Sequence, residues 1–318
     1  MDRQLSLEFA RITEQAALKS ARLVGLGDKE GADQAAVDGM HEQFALTPVS
    51  GTVVIGEGEI DEAPMLYIGE HVGQGGEEVD IAVDPVEGTN LVAKGKNGAI
   101  AVLAIAPKGC LLHAPDMYMQ KICVGPRAKG RIDIRASVTE NLKNVADAMG
   151  REVSDLTMVI LDRERHEKII REAREAGARV YLITDGDVVP SVDCGIQGSG
   201  IHMVMGSGGA PEGVLSAVGL KCLGGDMQAR LLPQTEQEIQ RLHTMGIDDP
   251  NKVLTLDDLV KGDDCIFAET AITDCAMLRG VRFFGGGART STLVLRYKTG
   301  TVRFIHRFGE DKPGVRMF

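Results

Sequence analysis

Between residues 157 and 206, apolar strand-like runs alternate with a helical pattern, which restricts the chain to few architectures. Thr157-Met158-Val159-Ile160-Leu161 reads as a strand, residues 164–176 as a charged helix, Arg179-Val180-Tyr181-Leu182-Ile183-Thr184 as a strand, and residues 201–206 as another. Strands that alternate with helices predict an α/β fold with a parallel sheet, and such sheets place ligands beyond the carboxyl ends of their strands. The segments at those ends are Asp162-Arg163-Glu164-Arg165-His166, Asp185-Gly186-Asp187 and Ser207-Gly208-Gly209-Ala210-Pro211-Glu212-Gly213. Loops are generally polar, so each group alone says little.

The first half carries a different signal. Leu5, Phe9, Ile12, Ala16 and Leu23 recur at roughly helical spacing, and a second, Ala-rich helix is expected over residues 31–40, with Asp33 in its first turns. A carboxylate there also suits the helix dipole. Gly51-Thr52-Val53-Val54-Ile55-Gly56 reads as a strand emptying into the acidic loop Glu57-Gly58-Glu59-Ile60-Asp61-Glu62, which on its own reads equally as a solvated turn. Some 25 residues later, Asp80-Ile81-Ala82-Val83-Asp84-Pro85-Val86-Glu87-Gly88-Thr89-Asn90 delivers two carboxylates and a hydroxyl into a turn. Pro85 is expected to stop the strand, and Gly88 to let the main chain approach an anion.

The two strand tips can converge, and their chemistry is coherent. Hard cations take oxygen ligands, so Asp33, Glu57, Asp84 and Glu87 suit Mg²⁺ or Mn²⁺ acting on a phosphate ester. The N–H groups of Gly88, Thr89 and Asn90 can cradle the phosphate if the turn opens a helix or nest. Further strands are expected at residues 99–106 and 121–124, helices at 214–223 and 234–245, and a hairpin of 292–297 with 301–306 around Lys298-Thr299-Gly300. Residues 126–155 read as a polar stretch.

Composition removes several partners. With 35 basic against 46 acidic residues the 318-residue chain carries −11, which disfavours nucleic acid and anionic membrane. The N-terminus lacks a signal-peptide pattern, and the longest apolar run, residues 99–107, is too short for a transmembrane helix, so a soluble cytoplasmic protein is expected. Six cysteines without CxxC spacing read as buried free thiols. The glycine-rich segments match neither a dinucleotide fingerprint nor a phosphate-binding loop of the G-x-x-x-x-G-K-[ST] type, and no nucleophile elbow occurs.

Taken together, the motifs resemble the class II fructose-1,6-bisphosphatases, including those that also accept sedoheptulose 1,7-bisphosphate, within the lithium-sensitive sugar phosphatase superfamily. The resemblance spans nearly the full length. It rests on Gly31-Ala32-Asp33-Gln34-Ala35-Ala36-Val37-Asp38, Val53-Val54-Ile55-Gly56-Glu57-Gly58-Glu59, Asp84-Pro85-Val86-Glu87-Gly88-Thr89, Ala114-Pro115-Asp116-Met117-Tyr118-Met119-Gln120-Lys121, Thr184-Asp185-Gly186-Asp187 and Gly208-Gly209-Ala210-Pro211-Glu212-Gly213.

This resemblance implies a layered αβαβα sandwich with two sheet-containing domains: residues 1–155 holding the metals, and residues 156–318 binding the sugar and the distal phosphate and ending in the hairpin. It implies metal ligation by Asp33 and Glu57 at one site and by Asp84, Glu87 and Glu212 at another. The implied substrate contacts are Glu87, Gly88, Thr89, Tyr118, Arg163, Glu164, Arg165, Asp185, Gly186, Asp187 and Gly209. Thr89 is expected to orient a metal-activated water for in-line attack on the 1-phosphate of fructose 1,6-bisphosphate, with Glu57 or Asp33 as base. A homo-oligomer, dimer or tetramer, is expected as well.

One departure bears on the loop after the first strand of the second half, where Arg163 and Glu164 stand in place of the Lys and Pro of many relatives. Asp226 reads as a helix cap or a further site carboxylate. The competing readings are an inositol monophosphatase or nucleotide 3′-phosphatase of the same superfamily, or a silent sugar-phosphate-binding regulator.

Overall fold

The computed structural model of the chain describes residues 1–58, 64–244, 247–249 and 251–310. Two compact units emerge, one formed by residues 1–111 together with the chain from residue 263 onward, the other by residues 112–262. The first segment contains α1 (Leu5–Ser20), α2 (Lys29–Phe44), β1 (Val49–Ile55), β2 (His71–Val72), β3 (Glu77–Glu87), α3 (Thr89–Ala93) and β4 (Ile100–Pro107). The inserted unit runs β5 (Tyr118–Val124), α4 (Val138–Met149), β6 (Thr157–Leu161), α5 (Glu167–Glu175), β7 (Arg179–Ile183), α6 (Val188–Asp193), β8 (Met203–Gly209), α7 (Ala210–Leu223), β9 (Asp226–Leu231), α8 (Glu236–Thr244), β10 (Leu254–Thr255) and α9 (Leu256–Leu259). The chain then returns as β11 (Ile266–Ala271), β12 (Arg282–Phe284), β13 (Gly287–Arg296) and β14 (Thr301–Glu310).

The division therefore falls at residues 111 and 262 and not at residue 155. The reason is strand pairing: β11 lies antiparallel to β4, and β13 to β11, so the last strands complete the first sheet, in the order β12-β13-β11-β4-β3-β1-β2 with β14 beside β13. The predicted hairpin is present, longer than expected, as β13 and β14 paired from Gly287 opposite Glu310 to Arg296 opposite Thr301.

In the first unit α1 buries Phe9, Ile12 and Ala16 beside Met40 and Phe44 of α2 in one core with Val53, Ile81, Leu103, Ile266 and Val294 of the sheet. Full burial of such side chains contributes about 1.5–3 kcal/mol each. α1 and α2 approach closely because Gly39 has no side chain; a Cβ there would meet the Gln15 carbonyl oxygen at 2.8 Å.

The second unit contains a six-stranded sheet in the order β10-β9-β5-β8-β6-β7. Its parallel part is the one expected from the alternating pattern, β6 flanked by β7 and β8. The antiparallel strands β5, β9 and β10 make the sheet mixed. A core of Ile122, Leu142, Val145, Met158, Ile160, Ile170, Met203 and Met205 joins α4 and α5 to the strands. α4 lies within the stretch read from sequence only as polar. Asp226 opens β9 and caps no helix; its carboxylate accepts from the Gly130 N–H at 2.7 Å. No helix among the described residues is long and apolar enough to cross a membrane. None of the six cysteines forms a disulfide among the described residues, and four of them are buried.

Candidate active site

In the first unit the carboxylates gather at the carboxyl ends of two adjacent strands. β1 and β3 are parallel neighbours, with Val53 opposite Ile81 and Ile55 opposite Ala82, so Glu57, just past β1, and Asp84 and Glu87, at the end of β3, emerge at the same end of the sheet. Asp33 comes from the second turn of α2. The start of that helix is set by Asp28, whose side chain accepts the Gly31 N–H at 2.8 Å, a cap worth about 1 kcal/mol.

The Asp33 and Glu57 carboxyls are hydrogen-bonded to each other. Burial, and after it the charge of Asp33, pushes the Glu57 pKa up. Burial also raises Asp33, against the opposing effects of the Glu57 hydrogen bond and of Lys29. Two poorly solvated carboxylates in contact cannot both ionise unless something positive lies between them, so the pair retains a proton. A divalent cation fits the same place, because it answers both negative charges in place of that proton. The rest of the acidic loop, Glu59 to Glu62, lies outside the described residues.

Pro85 does not stop β3. The strand continues to Glu87 through a bulge: Asp84 faces Val102, and Glu87, three residues on, faces Ile100, only two residues back along β4. A bulge is where a strand tolerates a residue without an N–H. It also turns Asp84 back on its own chain, with Oδ1 accepting the Val86 N–H at 3.0 Å. Gly88 follows at φ 92°, a left-handed conformation that favours glycine, and α3 begins at Thr89, as the cradle reading required. The Thr89 hydroxyl donates to the Val86 carbonyl at 3.1 Å, so its oxygen presents lone pairs and not a proton to an approaching water.

The second unit assembles the other predicted residues around the ends of β6, β7 and β8. Lys121, on β5, is 1% exposed and ion-paired to Asp187 at 2.8 Å. Burial works against the charge of Lys121, yet its pKa is raised, because Asp187 and Glu212 both favour the ammonium. Glu212 lies in the first turn of α7. Its pKa is raised by burial and by Asp187, against the pull of Lys121, and its Oε2 is buried with no hydrogen-bond partner. An orphaned carboxylate oxygen of this kind fits a hard cation, which needs such a ligand.

Glycines make room for these groups. A Cβ on Gly209 would stand 1.9 Å from Glu212 Oε2, and one on Gly208 2.6 Å from Asp187 Oδ2. Arg163 donates to the carbonyls of Asp162 and Thr184 at 2.9 and 2.8 Å. Glu164 opens a 3-10 turn, Glu164–His166, closed by the His166 N–H on the Arg163 carbonyl at 2.9 Å. Arg165 is exposed, binds Ser207 through two donors, and lies over the Tyr118 ring with its central carbon 5.0 Å from the ring centroid. Asp185 and Gly186 follow β7, and Gly186 is in the left-handed region at φ 77°. Lys121 is the participant not singled out from sequence. The signal was a lysine within Tyr118–Val124, a strand otherwise rich in Met, Ile, Cys and Val.

Comparison with known proteins places the chain in a family. The family model of bacterial fructose-1,6-bisphosphatase, glpX-encoded, matches residues 3–308. A D-fructose 1,6-bisphosphatase class 2/sedoheptulose 1,7-bisphosphatase of Synechococcus sp. (strain JA-2-3B'a(2-13)) is 51% identical, with both chains covered in full. The protein of the same description from Synechococcus sp. (strain JA-3-3Ab) is 51% identical over 96% of this chain and 95% of its own. That of Crocosphaera subtropica (strain ATCC 51142 / BH68) is 48% identical over 96% of each. The chain belongs to the glpX-encoded bacterial fructose-1,6-bisphosphatase family.

Proposed function

We propose that this protein hydrolyses the 1-phosphate of fructose 1,6-bisphosphate to fructose 6-phosphate and phosphate, and acts on sedoheptulose 1,7-bisphosphate in the same way. The observation that carries this reading is Arg165, a guanidinium held by Ser207 and Tyr118 beside a second arginine, Arg163. Fixed forked donors of this kind suit a phosphate that is bound and not cleaved, which an inositol monophosphate lacks.

In this reading Asp33 and Glu57 hold one divalent cation, and Asp84 and Glu87 hold another together with Glu212, as the family resemblance assigns them. The all-oxygen donor set suits Mg²⁺ or Mn²⁺. When bound, the cations supply Lewis acidity to the phosphate oxygens and to the attacking water. Thr89, with its own proton committed to Val86, accepts a hydrogen from that water and aims its oxygen at phosphorus. The other water proton goes to the Asp33–Glu57 pair as the bond from phosphorus to the C1 oxygen breaks, and the C1 oxygen leaves as a hydroxyl by taking a proton from solvent. Gly88 and the start of α3 cradle the reacting phosphate beside Glu87. Arg163 and Arg165 hold the distal phosphate, and Tyr118, Glu164, Gly186 and Gly209 line the sugar. Asp185 accepts sugar hydroxyls, as does the Asp187 oxygen not committed to Lys121.

The protein is read as cytoplasmic, which six cysteines outside any disulfide support, and as a homo-oligomer, dimer or tetramer. Phosphate release from fructose 1,6-bisphosphate, sedoheptulose 1,7-bisphosphate and inositol monophosphate, each with Mg²⁺ and with Mn²⁺, tests the assignment. The bisphosphates are expected to be the strongly preferred substrates, and Asp84→Ala to abolish turnover. Preferential release from inositol monophosphate, or near-normal Asp84→Ala activity at saturating metal, would sink it.

A further inference from the structure

His166 is 1% exposed at the junction of β6 and α5, and both its ring nitrogens are committed. Nδ1 stands 2.8 Å from the Leu161 carbonyl, which can only accept, so Nδ1 carries the proton. Nε2 stands 2.9 Å from the Ser207 N–H, which can only donate, so Nε2 is the bare nitrogen. The two contacts together fix one neutral tautomer.

The same logic orders the next link. The Ser207 hydroxyl lies 3.0 Å from His166 Nε2 and 3.0 Å from Arg165 Nε. Arginine Nε can only donate, so the hydroxyl oxygen accepts from it, and its own proton shares the Nε2 lone pair with the Ser207 N–H. The Ser207 carbonyl accepts a second Arg165 donor, Nη2, at 2.8 Å. Every polar group of Ser207 is thereby assigned: its two donors face His166 and its two acceptors face Arg165. The imidazole fits because Gly206 has no side chain, a Cβ there being 3.2 Å from the ring.

We propose that neutral His166 is a positioning residue for the distal phosphate, orienting Ser207 so that Ser207 holds Arg165 in its phosphate-binding pose over Tyr118. His166 takes no part in proton transfer to substrate, since neither nitrogen has an uncommitted position. The inference rests on the reading of Arg165 as a distal-phosphate residue.

The test compares fructose 1,6-bisphosphate with fructose 1-phosphate, which keeps the reacting phosphate and lacks the distal one. Arg165→Ala is expected to raise KM for the bisphosphate about tenfold or more, with kcat and the kinetics of fructose 1-phosphate little changed. Ser207→Ala and His166→Ala should show the same split at about three- to tenfold. His166→Gln, whose side-chain oxygen can accept the Ser207 N–H, should recover most of it. Adding His166→Ala to Arg165→Ala should raise KM no further, because the two act through one contact.

If Arg165→Ala raises KM while Ser207→Ala and His166→Ala leave it at the parent value, the positioning role fails and the Arg165 reading survives. Unchanged KM in Arg165→Ala would overturn both. Equal losses on the two substrates in His166→Ala and Ser207→Ala would reduce His166 to a structural residue. Should His166→Ala not fold, Ser207→Ala, which removes only a hydroxyl, decides the matter.

Discussion

Lys121 and Asp187 form a buried ion pair, Nζ to Oδ1 at 2.8 Å, between the middle of the second sheet and the start of α6. A pair removed from water contributes little net stability, but either half left alone is costly. Lys121→Met should therefore leave Asp187 and Glu212 as uncompensated carboxylates and destabilise the protein by about 3 kcal/mol, read by urea unfolding. Removing both charges in Lys121→Met/Asp187→Leu should restore much of that stability without restoring substrate affinity. A double variant no more stable than the single one would show that the cost lies in packing and not in charge.

Gly209 offers a sharper separation of fold from chemistry. A methyl group there collides only with the end of the Glu212 side chain, which can rotate away, so the backbone need not move. Gly209→Ala should keep the thermal midpoint within about 2 °C of the parent, yet displace the one buried carboxylate oxygen that lacks a partner in the first turn of α7. Turnover at saturating metal should fall about tenfold or more, with a weaker apparent metal affinity. Full activity would count against Glu212 as a ligand.

Much of this arrangement was readable because it is local. The spacing of Leu5, Phe9, Ile12 and Ala16 set α1, and the turn from Asp84 to Thr89 carried its carboxylates and its left-handed glycine within six residues, although Pro85 sits in a bulge where the pattern read a strand end. α4 was hidden among polar neighbours, although Ser137 capping the Glu140 N–H at 3.1 Å, with Val138, Leu142 and Val145 following, is a legible helix start. What stayed out of reach is long-range. β11 joins β4 across some 160 residues, and Lys121 meets Asp187 across 66, and neither partner is marked by periodicity. Local pattern fixes which face of an element is apolar, whereas strand order depends on which faces meet, so the unit boundaries followed pairing and not composition.

The shared proton of Asp33 and Glu57 makes metal binding measurable without turnover. A cation that takes its place should release about one proton per site as it binds, and affinity should fall as pH falls, since ligands bind deprotonated. Calorimetric titration of Mn²⁺ in buffers of different ionisation enthalpy reads that proton directly. Glu57→Gln should abolish the release and weaken binding at this site. Metal binding with no linked proton in the parent protein would mean that the pair does not ligate.

Asp193, at the end of α6, is fully buried, neither carboxylate oxygen has a hydrogen-bond partner, and burial pushes its pKa up to about 7. The sign follows from linkage. With an unfolded value near 3.8, the folded state keeps a proton that the unfolded state has lost between about pH 4 and pH 7, so stability declines across that window as pH rises and is level above it. Asp193→Asn removes the ionisation and with it the decline. The variant should gain on the order of 2 kcal/mol over the parent at pH 8 and little near pH 4, by urea unfolding at both values. A gain of equal size at the two pH values would place the effect in packing, and a loss at pH 8 would mean that the Asp193 carboxylate is held there as an ion.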